Sequence, residues 1–177
     1  MNGFSMAKLL DDKEERYKKQ TEMIVLNKLP VISFTINKPG TEKNNEIIKN
    51  IFASGLKEIE SVLSVNNIEI MDRYCSSDGL SGPIIILSIN FNPNKIKEWM
   101  VDIENNHPIG RLLDIDVIDE QRGHISRINL GFEARKCLIC NDYAKICSRS
   151  QRHDMGDVLK KFYNICFLYI EKQQEKT

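Results

Sequence analysis

The sequence predicts an α/β (α+β) fold: a two-layer sandwich with a ferredoxin-like βαββαβ core, a largely antiparallel sheet and a C-terminal Cys-rich helical segment. Three observations lead there. Apolar runs of strand character stand at 31–36, 84–89 and 110–117, separated by stretches of helical periodicity. From Val31 to Ile118 the order reads strand, helix, strand, strand, helix, strand, which is the split βαβ pattern. The 177 residues suffice to bury a core within a single domain. That domain divides into an N-terminal helix (1–29), an α/β core (30–130) and a Cys-rich helical lobe (131–177).

Residues 8–28 read as a charged helix whose partial apolar stripe is Leu9, Leu10, Tyr17, Ile24 and Leu26, stopped by Pro30. VISFTI is a strand closed by the turn pair Pro39-Gly40. Beyond Thr41, Ile47, Ile48, Ile51, Phe52, Ile59, Val62 and Leu63 recur at helical spacing, with Gly55 as the weak interior position. A strand around Ile68 to Tyr74, the turn SSDGLSGP and the continuous apolar strand Ile84 to Ile89 follow. Asn92-Pro93 opens a helix with Ile96, Trp99, Met100 and Ile103 on one face. After His107-Pro108 come the strand GRLLDIDV, a polar turn DEQRG and a partner strand at His124 to Ile128. The last helix buries Val158, Leu159, Phe162, Ile165, Cys166 and Tyr169; the tail EKQQEKT frays.

Composition excludes several classes. Lys plus Arg and Asp plus Glu both number 25, so the net charge is zero and phosphate binding must come from local clustering. Neutral charge and unpaired aromatics argue against a nucleic-acid-binding module. The N-terminal sequence becomes charged within its first eleven residues, so no secretory signal is expected. The apolar runs are too short to span a bilayer. A cytoplasmic protein without membrane contact follows. Five cysteines, an odd number, argue against a disulfide framework; Cys75 and Cys166 read as core cysteines.

In GRLLDIDV, alternation sends Leu113, Ile115 and Val117 to the core and Asp114 and Asp116 together to the other face. Two carboxylates so placed suit Mg²⁺, which takes one or two carboxylates and completes its shell with water and phosphates. The same triplet also fits a half-exposed strand with two solvated aspartates. Arg111 and Arg127 are the arginines a hairpin would bring near the pair, with Arg135 and Lys136 following. The planar guanidinium fork suits phosphate. His107 fits either a general base or a turn residue.

Residues 135–153 read RKCLICNDYAKICSRSQRH. Cys137 and Cys140 form a CxxC pair, and with Cys147 and His153 they could complete a tetrahedral Zn²⁺ site. The spacing is not that of a zinc finger, so buried thiols and a redox pair remain open alternatives.

Taken together, PVISFTINKPG, the NNEIIKNIFASG helix start, HPIGRLLDIDV, ISR and the RKCLIC segment with its later Cys and His resemble one family. It is the CitX-type apo-citrate lyase phosphoribosyl-dephospho-CoA transferase, or citrate lyase holo-acyl-carrier-protein synthase. The resemblance covers about residues 30–153. It implies transfer of a prosthetic group from 2'-(5''-triphosphoribosyl)-3'-dephospho-CoA to a serine of the citrate lyase acyl carrier protein (the gamma subunit), with release of pyrophosphate. Asp114 and Asp116 then become Mg²⁺ ligands, Arg111, Arg127 and Arg135 phosphate contacts, and His107 a base or orienting group. Lys136, Lys145, Arg149 and Arg152 would dock an acidic carrier protein. The competing reading is a non-catalytic zinc-containing adaptor for an acidic partner.

Overall fold

The computed structural model describes residues 3–40, 43–77, 79–121 and 123–175. Thr41, Glu42, Asp78, Arg122 and the last two residues of the expected frayed tail lie outside these. So does the side chain of Leu9.

The elements follow in the order α1 (Gly3–Asn27), β1 (Val31–Ile36), α2 (Glu46–Val65), β2 (Ile70–Ser76), β3 (Ile84–Ile89), α3 (Pro93–Asn106), β4 (Leu113–Asp119), β5 (Gly123–His124), α4 (Ala144–Arg149) and α5 (Met155–Gln174). Among the described residues the strands form a five-stranded sheet in the order β2-β3-β1-β4-β5, and every neighbouring pair is antiparallel. Local chemistry sets the helix starts. Asn45 Oδ1 accepts the Ile48 N–H at 3.0 Å, Asn92 caps α3 ahead of Pro93, and Asp154 caps α5 through the Gly156 N–H.

One face of the sheet carries the core. Ile32, Phe34, Ile85, Leu87, Leu113, Ile115 and Val117 pack there against Ile48, Ile51 and Ile59 of α2, Met100 of α3 and Phe162 of α5. The weak helix position Gly55 has a tertiary cause: a Cβ there would stand 2.7 Å from Phe34 Cζ and 2.9 Å from Leu113 Cδ2. Absence of that carbon lets α2 lie close on the sheet.

The expected two-layer arrangement needs correction, because α1 lies on the opposite face. Met23 and Ile24 pack there with Val31, Ile86 and Ile118. Gln20 Nε2 donates to Ser33 Oγ at 2.8 Å, and Asn27 Nδ2 donates to Asp72 and Ser88, both at 2.9 Å. Leu10, Tyr17 and Leu26 of the expected stripe are exposed instead. This face of the sheet presents serines and aspartates, so α1 docks by polar matches as well as by apolar burial.

Two further expectations are corrected. The strand after the polar turn is two residues long, not five, and Arg127 stands instead at the start of a short 3-10 turn, Ile128–Leu130. Ser126 Oγ accepts the Ile128 N–H at 3.3 Å, and Gly131 takes a left-handed φ of 83° that closes the turn. Cys75 is exposed, not buried, because β2 forms the outer edge of the sheet; Cys166 is buried as expected.

Candidate active site

Register along β4 decides what each residue can do. Asp114 lies opposite Thr35 and Asp116 opposite Ser33 on β1, so both carboxylates leave the sheet on the α1 face, while Leu113, Ile115 and Val117 enter the core. The chain turns into β4 through Gly110, where a Cβ would collide with the carbonyl oxygens of Ile103 and Glu104 at the end of α3. That tight turn aims the strand. Asp114 is held above the usual carboxylate range by burial and then by its like-charged neighbour Asp116, against the pull of Arg135.

The outer edge of β4 is closed by side chains rather than by a long strand. Glu104, 3% exposed, accepts the Ile115 N–H at 3.1 Å. Lys97 Nζ, on the same helix, donates to the Ile115 carbonyl at 2.6 Å. Burial lowers the Lys97 ammonium from its ordinary value, and Glu104 and Asp116 offset part of that. These two buried side chains satisfy the edge that β5 is too short to cover.

The arginines gather on the same edge. Glu104 forms ion pairs with both Arg127 and Arg135. Arg135 Nη1 also lies 3.8 Å from Asp114 Oδ1, so it bridges the buried glutamate and the half-buried aspartate. Arg111 instead grips the Cys-rich segment, donating to the carbonyls of Lys136 and Cys137 (2.9 Å for the latter). Of the arginines singled out from the sequence, Arg135 is therefore the one beside the aspartates.

The histidines separate. His107 ends α3 on the helical side of the sheet, accepting the Ile109 N–H at 3.3 Å with its ring 5.5 Å from that of Tyr169. Burial lowers its pKa, and Glu58 of α2 offsets this. The structure does not bring it to the aspartates. His124, which sequence reasoning treated only as a strand residue, has Nδ1 4.0 Å from Asp116 Oδ1.

Sequence reasoning also missed the basic groups of α1 and of the turn before α2. A cavity of about 320 Å³ opens between α1, β1 and the 79–82 turn, with Lys13, Arg16, Lys43, Asp12, Glu15 and Asp114 among its lining residues. Nothing in the local sequence of α1 distinguishes Arg16 from the other charges of that helix. Only its position over the sheet does.

The Cys-rich segment closes on itself. Ligand atoms of Cys137, Cys140, Cys147 and His153 all lie within 4.8 Å of one another, and the Cys140 and Cys147 sulfurs are 3.5 Å apart. Cys140 sits in the loop before α4 and Cys147 inside it, so the two do not share a helix. His153 Nε2 is buried without a hydrogen-bond partner. Burial pushes the Cys137 thiol up, but N–H groups of Cys140 and Ile139 and the neighbouring thiols prevail and bring it down to about 7. Cys147 is pushed up to about 11 by burial and by its thiol neighbours. Around the cluster, Arg152 pairs with Asp142 at 2.5 Å, and Lys136 Nζ lies 4.6 Å from the centre of the Tyr143 ring. Lys145 and Arg149 of α4 are exposed.

No helix among the described residues is long and apolar enough to cross a membrane. Curated relatives share this chain's sequence over most of its length. An apo-citrate lyase phosphoribosyl-dephospho-CoA transferase of Escherichia coli O7:K1 (strain IAI39 / ExPEC) is 31% identical over 160 residues, covering 90% of this chain and 87% of its own. Proteins of the same name from Escherichia coli O1:K1 / APEC and Shigella boydii serotype 18 are 30% identical over the same shares. The family model for apo-citrate lyase phosphoribosyl-dephospho-CoA transferase matches residues 4–167, a span that includes α1, the aspartate strand and the cysteine cluster. By that match and those identities, the chain belongs to the CitX family of transferases.

Proposed function

We propose that this chain transfers phosphoribosyl-dephospho-CoA to the acyl carrier protein of apo-citrate lyase. The donor is 2'-(5''-triphosphoribosyl)-3'-dephospho-CoA, and pyrophosphate leaves. The observation that carries the reading is the pair Asp114 and Asp116 on one face of β4, with Asp114 lining a cavity that also presents Lys13, Arg16 and Lys43, in a chain that matches this family over residues 4–167. The adaptor reading has no comparable support.

In the transfer, the serine Oγ of the carrier protein bonds to the α-phosphorus while the bond from that phosphorus to the pyrophosphate oxygen breaks. Asp114 and Asp116 would hold Mg²⁺, and their donor set fits: two carboxylates on one face, whose mutual repulsion a cation relieves. Bound there, the ion would supply charge neutralisation on the phosphates. Arg135 orients Asp114 and faces the developing negative charge from the strand edge. The serine proton needs a base, and His124 beside Asp116 is better placed for that than His107. Arg127 and Arg111 contribute by holding Glu104 and the Cys-rich segment in place. An acidic carrier protein would dock on the side of the lobe that carries Lys145 and Arg149, flanked by Lys136 and Arg152.

The test is mass spectrometry of the apo-carrier protein after incubation with this chain, the triphosphoribosyl donor and Mg²⁺. A mass gain equal to the prosthetic group, absent when Mg²⁺ is chelated, is expected; an unchanged carrier overturns the reading.

The core is also read here as ferredoxin-like. Its support is the order of β1, α2, β2, β3, α3 and β4 along the chain, with β2-β3-β1-β4 in space. The Cys137, Cys140, Cys147 and His153 cluster is read as a structural Zn²⁺ site, which the closeness of its ligand atoms and the orphaned His153 Nε2 support. Its place in the fold gives it a purpose: the Arg111 clamp on the Lys136 and Cys137 carbonyls lies directly after Arg135 in the chain. Closing the cluster therefore fixes the segment that carries Arg135 to Asp114. Elemental analysis of the purified protein is expected to find about one zinc per chain, as one tetrahedral site requires. Cys137→Ser should lose that zinc and lower the melting temperature. Full stability without zinc would leave the cluster as plain thiols.

A further inference from the structure

We infer that the cavity between α1 and the sheet is the polyphosphate pocket of this enzyme, with Arg16, Lys43 and Lys13 as its phosphate-binding side chains and Ser81 as a further donor. The inference rests on the transferase reading and deepens it by naming where the leaving end of the donor sits.

Four observations carry it. First, the cations facing the cavity have no carboxylate of their own: among the described residues neither Arg16, Lys13 nor Lys43 forms an ion pair. Second, two of the acidic neighbours are otherwise engaged. Asp12 Oδ2 accepts the Ser81 N–H at 2.8 Å, and Glu15 accepts the Tyr74 hydroxyl at 3.3 Å. The remaining carboxylate on the wall is Asp114 itself. Third, Ser81 is one of the residues lining the cavity, and its buried Oγ has no hydrogen-bond partner. Fourth, the cations crowd one another: burial and then the charges of Lys13 and Arg16 lower the Lys43 ammonium, and Asp114 only partly compensates. An anion placed among them relieves that repulsion.

Size selects the part of the donor. About 320 Å³ lies at the small end of the ~300–1,000 Å³ typical of small-molecule sites, too little for a whole nucleotide with its pantetheine arm. A chain of phosphates fits this chemistry. Its position also agrees with the reaction, since a polyphosphate in this cavity meets Asp114, one of its lining residues, beside which the scissile phosphorus must lie. The turn that forms the far wall is built for close approach. Gly82 has φ +86° and packs so tightly on the Lys43 carbonyl that no Cβ fits, which holds the Lys43 backbone against the Ser81 turn.

The test uses the full chain and inorganic tripolyphosphate, titrated calorimetrically without added divalent cation, together with steady-state transfer kinetics. Arg16→Gln and Lys43→Gln are each expected to weaken tripolyphosphate binding about tenfold or more, the usual size for a lost charge-assisted contact. They should raise the donor KM in parallel and leave the carrier-protein KM unchanged. Lys160→Gln, an exposed lysine of α5, should change neither. Melting curves matching the wild type exclude unfolding as the cause, and the two variants lie on separate elements, so either alone suffices. Wild-type protein that does not bind tripolyphosphate, or variants that bind it as well as the wild type, overturn the inference while leaving carrier labelling intact. If the wild type fails to label the carrier yet binds tripolyphosphate through Arg16 and Lys43, the transferase reading falls and the pocket stands.

Discussion

Asp114→Asn and Asp116→Asn are each expected to lower carrier-protein labelling by about 10²–10³-fold, the usual loss when a group stabilising developing charge is removed. The same substitution at Asp114 should leave the fold as stable as before or make it more so. Its carboxyl is raised above the ordinary range by burial and by Asp116, so the folded chain holds the proton more tightly than the unfolded chain does. For a raised carboxyl, stability declines as pH climbs through the window between the unfolded and folded pKa values, and the full cost is present above it. Asparagine stays neutral and removes that cost. Thermal melting at neutral pH should therefore place Asp114→Asn at or above the wild type, and the gap should close on acidification. A variant that loses activity but also melts several degrees lower would mean that Asp114 serves the fold. Activity bought with stability in this way marks a functional site.

Glu104→Ala should have the largest effect on stability, about 3–5 kcal/mol in denaturant unfolding, the range for breaking a buried ion pair by removing one partner. Glu104 is 3% exposed and serves three groups: the guanidinium ions of Arg127 and Arg135 and the backbone N–H of Ile115. Alanine leaves the Arg127 guanidinium without its carboxylate and Arg135 with only Asp114, and it orphans an N–H on the uncovered edge of β4. Glu104→Gln keeps an acceptor for Ile115 and should cost less than Glu104→Ala. Transfer activity should drop in both, because Arg135 loses the partner that holds it beside Asp114. A loss below about 1 kcal/mol would mean that this cluster behaves like an exposed pair.

Local patterns were enough for most of the elements. Ile84 to Ile89 is a strand with the bounds its apolar run suggests, and Asn92-Pro93 starts α3 as cap and first helical residue. The strand after the polar turn was misjudged because Ser126 offers the backbone an alternative to the ladder, and the chain leaves the sheet two residues after it joins. The stripe expected on α1 failed for another reason. That helix covers a sheet face of serines and aspartates, so its buried contacts include Gln20 and Asn27, which hydropathy does not flag. Cys75 looked like a core residue by type, yet core membership there depends on whether anything covers the face of the edge strand β2.

Alternation within LLDIDV determined, by sequence alone, that Leu113, Ile115 and Val117 are buried and that Asp114 and Asp116 share the opposite face, because a strand has no other way to place successive side chains. Family membership was legible too, since it rests on linear motifs. What surrounds the aspartates was decided only in three dimensions. Arg135 lies 21 residues beyond Asp114 and Arg16 lies 98 before it. The first reaches the pair through a buried glutamate on α3, the second because α1 folds across a face expected to be bare. His107, seven residues from Asp114, ends on the other side of the sheet. Distance along the chain says little about distance across a sheet, and the charges that give these two carboxylates their chemistry come from elements that meet only on folding.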